Sequence, residues 1–134
     1  MKSKGSFEDL EVWQIGKEIV MEVYQLSKEF PKEESFSLTP QVKRAALSIP
    51  ANIAEGFGRY HYLDKAKFFL NARGSLYEFK SHLLIAQELG YLHQSQLIST
   101  NLFNMVNTLS LKLNNLITTT RRLSKESQRI NESQ

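Results

Sequence analysis

Leu102, Leu109, Leu116 and Leu123 stand seven residues apart, with Val106 and Leu113 in the companion positions. A seven-residue apolar repeat lays one stripe along a helix, whereas a strand, whose side chains alternate, cannot keep it on one face. Three- and four-residue spacing recurs three times upstream. Val12, Trp13, Ile19, Val20, Val23, Leu26 and Phe30 form one stripe, and Val42, Ala45, Ala46, Ile49, Ile53 and Phe57 a second. Phe69, Ala72, Leu76, Phe79, Leu83 and Ala86 form the third. With no strand signal and no internal repeat, the pattern predicts an all-α fold: an antiparallel up-down-up-down four-helix bundle over residues 7–123. Each fully buried Leu, Ile or Phe contributes roughly 1.5–3 kcal/mol, and four such stripes offset the entropy of ordering the chain.

Punctuation residues place the helix ends. Residues 1–6 and the polar stretch 124–134 are expected to be disordered or frayed. The first helix is expected from about Glu8 to Phe30, with Phe7 as a staple, acids at its positive end and Pro31 as its stop. Phe36, in the polar loop that follows, is expected to fold back onto the core. In the second helix Thr39 reads as N-cap and Pro40 as the first helical residue. Pro50 deletes a backbone hydrogen bond and crowds the Ala46 carbonyl, which predicts a kink or short break there. Gly56 and Gly58 suit a left-handed C-cap. The third helix runs from near Leu63 to Leu89 and is closed by Gly90. The fourth runs from near Gln94 to at least Leu123. Ile98, Phe103, Met105, Leu111 and Ile117 lie outside its leucine seam, which predicts a second interface on this helix.

The absence of cysteine excludes disulfides and thiolate metal sites and fits a cytoplasmic location. No apolar run of about 18 residues occurs, so no membrane segment is expected. The net charge of +3 is unevenly divided: residues 1–34 hold five lysines against eight acids, and residues 35–134 hold twelve basic residues against six acids. A basic body of this kind attracts phosphate backbones.

Two groups of residues stand out. Lys43, Arg44, Arg59, Lys65, Lys67 and Arg73 form the densest basic region, opposed by Glu55 and Asp64. With Tyr60, His61 and Tyr62 between them, it reads as a site that holds phosphates while rings stack on single-stranded bases. Arg121, Arg122, Lys125 and Arg129 make a second basic group. The plainer reading of the first region is ordinary helix-end solvation and rim packing. The other set is Ser48, Asn52, Glu55, Ser75 and Glu78. Ser48 and Asn52 flank Pro50 at helical spacing and reach toward the carbonyl it frees, so the set reads as a structural polar network between the second and third helices. Gly74 beside it is a point where another backbone can come near. A ligand or subunit contact through Asn52 and Glu55 is the alternative. His61, His82 and His93 lack metal-ligand spacing, and no Ser–His–acid constellation assembles, so no catalytic residue, metal or cofactor is expected.

FEDLEVWQ, FPKEE, QVKRAALSIPANIAEGFGR and ARGSLYEF occur in that order between Phe7 and Leu92. Together they resemble the four-helix-bundle proteins encoded in intervening sequences of bacterial 23S ribosomal RNA genes. Helix four agrees with the family only in pattern, and Pro40 stands where Ser is common. The fold is similar to the accessory variability determinant of diversity-generating retroelements. The resemblance implies a homopentamer with a positive surface, a role in binding RNA or DNA, and no catalytic residues to carry over. The alternative is a structural or partner-binding assembly module whose charge confers only solubility.

Overall fold

Four α-helices make the body of the protein: α1 (Glu11–Leu26), α2 (Leu38–Gly58), α3 (Tyr62–Glu88) and α4 (Gln96–Ser133). The computed structural model describes residues 5–92 and 96–133, apart from the side chains of residues 96–100. Residues 1–4, His93, the expected start of α4 at Gln94 and the Ile98 side chain therefore lie outside the described residues. Among the described residues there is no strand, and no helix is long and apolar enough to cross a membrane.

Each helix packs on two others, α1 on α2 and α4, and α3 on α2 and α4, so the four close around one core. Cross-contacts give the directions. Gly16 meets Ile49 and Pro50, while Tyr24 meets Lys43, so α1 and α2 run oppositely. Arg44 meets Glu78, Ser48 meets Ser75, and Gly56 meets Phe69, so α2 and α3 do the same. Leu26, Ile49, Ile53, Leu76, Phe79, Leu83, Leu102, Leu109 and Leu113 are fully enclosed, and they are the positions that the three-four spacing marks.

The helix ends depart from expectation. The first helix is interrupted: Phe7–Asp9 form a 3-10 turn capped by Ser6, Leu10 is extended, and Ser27–Glu29 form another 3-10 turn. Gln14 Nε2 donates to the Glu8 carbonyl at 3.0 Å, a bond that ties the first turn to α1, and Phe7 packs edge-on against Trp13. In α2 the cap is not Thr39, which lies inside the helix. Glu34 Oε1 instead accepts from the Leu38 amide at 3.3 Å and from the Ser37 hydroxyl at 2.7 Å. Neither Gly56 nor Gly58 has positive φ; α2 ends because Arg59 turns extended. Gly90 does take the left-handed conformation, at φ +82°. Its amide bonds the Gln87 carbonyl and the Tyr91 amide bonds the Ala86 carbonyl, both at 3.0 Å, the two bonds of a Schellman cap. The helix continues on both sides of Pro50.

One apolar expectation fails and another is narrowed. Phe36 does not fold back; it is 99% exposed. The wide apolar surface of α4 is largely used within the bundle, since Ile117 is buried and Phe103 and Met105 pack on the core, leaving Leu111 outside. An exposed apolar face runs along α3 to its C-cap, at Tyr77, Leu84, Ile85 and Leu89. The largest difference is the tail. α4 does not fray at Ser124 but continues through Ser133, a helix of 38 residues and about 57 Å.

Candidate nucleic-acid interface

The connection from α2 to α3 is three residues long. Arg59 and His61 are extended at ψ 147° and 141°, which swings the chain out before α3 begins. Tyr60, at the tip of this turn, is 88% exposed, with its ring edge-on to His61 at 5.0 Å. The turn is held from both sides. Lys65 Nζ donates to the Phe57 carbonyl at 2.7 Å, satisfying one of the acceptors that the end of α2 leaves open. Arg59 pairs with Glu55 at 3.3 Å and lies 4.5 Å from the centre of the Phe68 ring.

The six basic residues expected to form one region do not share a surface. Lys43 lies over the Tyr24 ring of α1 at 4.8 Å. Arg44 donates to Gln41 and pairs with Glu78. Arg73 donates to Asn114 of α4 at 3.0 Å. Lys65 and Arg59 brace the turn, and Lys67 is exposed, with no ion pair to another described residue. Five of the six are thus engaged within the chain.

The expected polar network splits in two. Ser48 and Ser75 lie hydroxyl to hydroxyl at 2.8 Å across α2 and α3, and Asn52 Nδ2 donates to the Ser48 carbonyl at 2.8 Å and to its hydroxyl at 3.0 Å. Asn52 therefore satisfies Ser48, not the Ala46 carbonyl freed by Pro50. A turn away, Glu78 takes Arg44 and His82, the latter at 3.3 Å. Partial desolvation pushes the Glu78 carboxyl up, but hydrogen bonds from Arg44 and His82 outweigh it and the group titrates below the ordinary glutamate range. Glu55 belongs to neither group and is exposed beside Arg59. Outside the backbone of α3 itself, no described residue comes within 4 Å of where a Cβ at Gly74 would stand, so the close approach expected there is not made within the chain.

Sequence reasoning missed the wall that faces the turn. Tyr60, His61, Tyr62 and Leu63 line a cleft of about 460 Å³ whose other side is Ser124, Ser127, Gln128 and Asn131 of α4. These four continue the register of Leu109, Leu113, Ile117 and Thr120, so the face buried in the bundle turns polar and open past Thr120. That register is the signal that finds them. On the flank of the same helix stretch stand Arg121, Arg122, Lys125 and Arg129, all exposed, with no ion pair to another described residue. Among the described residues no group of three or more His, Asp or Glu gathers as metal ligands.

Residues 8–115 match the family model of the 23S rRNA-intervening sequence proteins. The chain belongs to that family. No curated protein matches it at a significant level. The polar wall of the cleft and the basic row beside it lie after residue 115, beyond the span shared with the 23S rRNA-intervening sequence family, whereas the Tyr60 turn lies within it.

Proposed function

We propose that this protein is a non-enzymatic, homo-oligomeric bundle that binds nucleic acid. The observation that carries the reading is the row Arg121, Arg122, Lys125 and Arg129, exposed and without internal ion pairs to described residues, beside the aromatic Tyr60 turn. Cations that the fold does not use remain available to phosphates, and neutralising phosphates releases condensed counterions. Five of the six basic residues from Lys43 to Arg73 make internal contacts, so the burden falls on α4 and Lys67. Assembly, with five copies expected from the family resemblance, repeats the row around the particle and multiplies a modest charge into a sizeable field.

The exposed apolar face of Tyr77, Leu84, Ile85 and Leu89 favours a second reading, an assembly or partner-binding module with no nucleic-acid role. Size exclusion with light scattering separates the two, run with and without a mixed pool of RNA and DNA at low and high salt. An oligomer that shifts with nucleic acid at low salt and releases it at high salt supports the first. An oligomer indifferent to every nucleic acid supports the second, and a monomer overturns the assembly in both.

A further inference from the structure

The cleft between the α2–α3 turn and the extension of α4 has two chemically different walls. One side carries Tyr60, His61 and Tyr62, with Tyr60 almost wholly open to solvent. The other carries two hydroxyls and two carboxamides, from Ser124, Ser127, Gln128 and Asn131. Rings offer a face to any unstacked base, while hydroxyls and carboxamides both donate and accept, matching the mixed donors and acceptors on base edges. The basic row at Arg121, Lys125 and Arg129, four residues apart, runs along the flank of that polar wall and supplies charge for a backbone lying alongside.

From this juxtaposition we infer that the cleft is a seat for unpaired bases, so that the protein takes single-stranded nucleic acid in preference to duplex. The inference rests on the nucleic-acid reading above and adds which form is bound and where. A duplex holds its bases stacked on one another, so it offers its backbone to the α4 row but no free base face to Tyr60. A single strand offers both. The shared chemistry is an unstacked base next to a phosphodiester, and the arms of the test separate RNA from DNA.

The test measures affinity of the full chain for labelled oligo(U), oligo(dT) and a blunt duplex of equal length, at two salt concentrations. The variants are Tyr60→Ala, Tyr60→Phe and the pair Lys125→Glu with Arg129→Glu. Tyr60 is too exposed for its loss to threaten folding. Tyr60→Ala is expected to weaken single-strand binding about tenfold, in line with the loss of one stacked base, and to leave duplex binding unchanged. Tyr60→Phe keeps the ring and the affinity, and the charge-reversed pair weakens single strand and duplex alike. Equal affinity for single strand and duplex, with Tyr60→Ala neutral, overturns the base seat and leaves the nucleic-acid reading standing. Failure of the native protein to bind any of the three at low salt overturns both.

Discussion

The Ser48 hydroxyl of α2 lies 2.8 Å from the Ser75 hydroxyl of α3, and Asn52 donates to Ser48 from the other side. Ser48 is thus the shared member of a small hydrogen-bonded group between two helices. Replacing Ser75 by Ala removes one bond, at a cost of about 0.5–1.5 kcal/mol. Ser48→Ala removes two and is expected to cost more. The double variant is expected to lose less than the two single losses added together, because the Ser48–Ser75 bond is counted in both. Urea denaturation of the four proteins in the cycle measures it.

The helix glycines divide by what surrounds them. A Cβ at Gly56 meets the buried Phe69 ring at 2.7 and 2.9 Å and the Lys65 carbonyl at 3.1 Å, while one at Gly74 meets nothing. Gly74→Ala is expected to raise stability by about 0.8–1 kcal/mol, the helix-propensity difference. Gly56→Ala gains the same propensity but forces a ring and a backbone carbonyl apart, for a net loss of about 1–2 kcal/mol. Thermal midpoints moving in opposite directions are the expected readout.

Glu34 gives a pH prediction. Its hydrogen bond from Ser37, and then that from Tyr91 at 2.8 Å, hold its carboxyl below the ordinary value of 4.5. The Tyr91 phenol is raised above its ordinary 10.0 chiefly by the same bond to Glu34. A carboxylate with a depressed folded pKa contributes its stability above the unfolded value, and the contribution is lost as the pH falls through the folded one. A phenol with a raised folded pKa contributes below its unfolded value and loses the contribution as the pH rises through the folded one. The stability difference between native protein and Tyr91→Phe is therefore expected to be full between about pH 5 and 9 and to shrink on either side. Denaturation curves at several pH values test this. A difference constant down to strong acid contradicts it.

Lys65 separates a structural cation from a binding one. Its ammonium closes the Phe57 carbonyl at 2.7 Å. Lys65→Met is expected to cost about 0.5–1 kcal/mol of stability through loss of charge at a helix C-terminus. It is expected to change nucleic-acid affinity far less than Lys125→Glu. Paired denaturation and titration experiments decide.

The bundle was legible because a buried helical face must repeat every three or four residues, and every stripe the spacing marked contributes to the core. The continuation of α4 was legible too, in the absence of any Gly or Pro after Gly90, but polar composition argued the other way. The cap on α2 was not, because Glu34 reaches Leu38 from a turn outside the helix, where rules for the capping position do not look. The basic region misled for a geometric reason. Residues near in sequence are spread by about 100° per step around a helix, so Lys43 faces α1, Arg44 and Glu78 meet between α2 and α3, and Arg73 reaches α4. Linear density of charge on helices is not surface density. Phe36 gave no sign of its exposure, since an aromatic residue in a polar loop reads the same whether it turns in or out.

Residues 125–133 of α4 are exposed, so the unbroken helix between Thr120 and Ser124 sets where the polar face beyond it points. The cleft is therefore phased like a gear tooth on a shaft. One residue inserted after Thr120 turns everything beyond it by about 100°, carrying Ser124 and Asn131 away from Tyr60 while the bundle core stays as it was. Four inserted residues bring the face back to within about 40° and one turn further out. Binding that vanishes with one added residue and partly returns with four would place this protein's selectivity in helical phase as much as in the identity of its side chains.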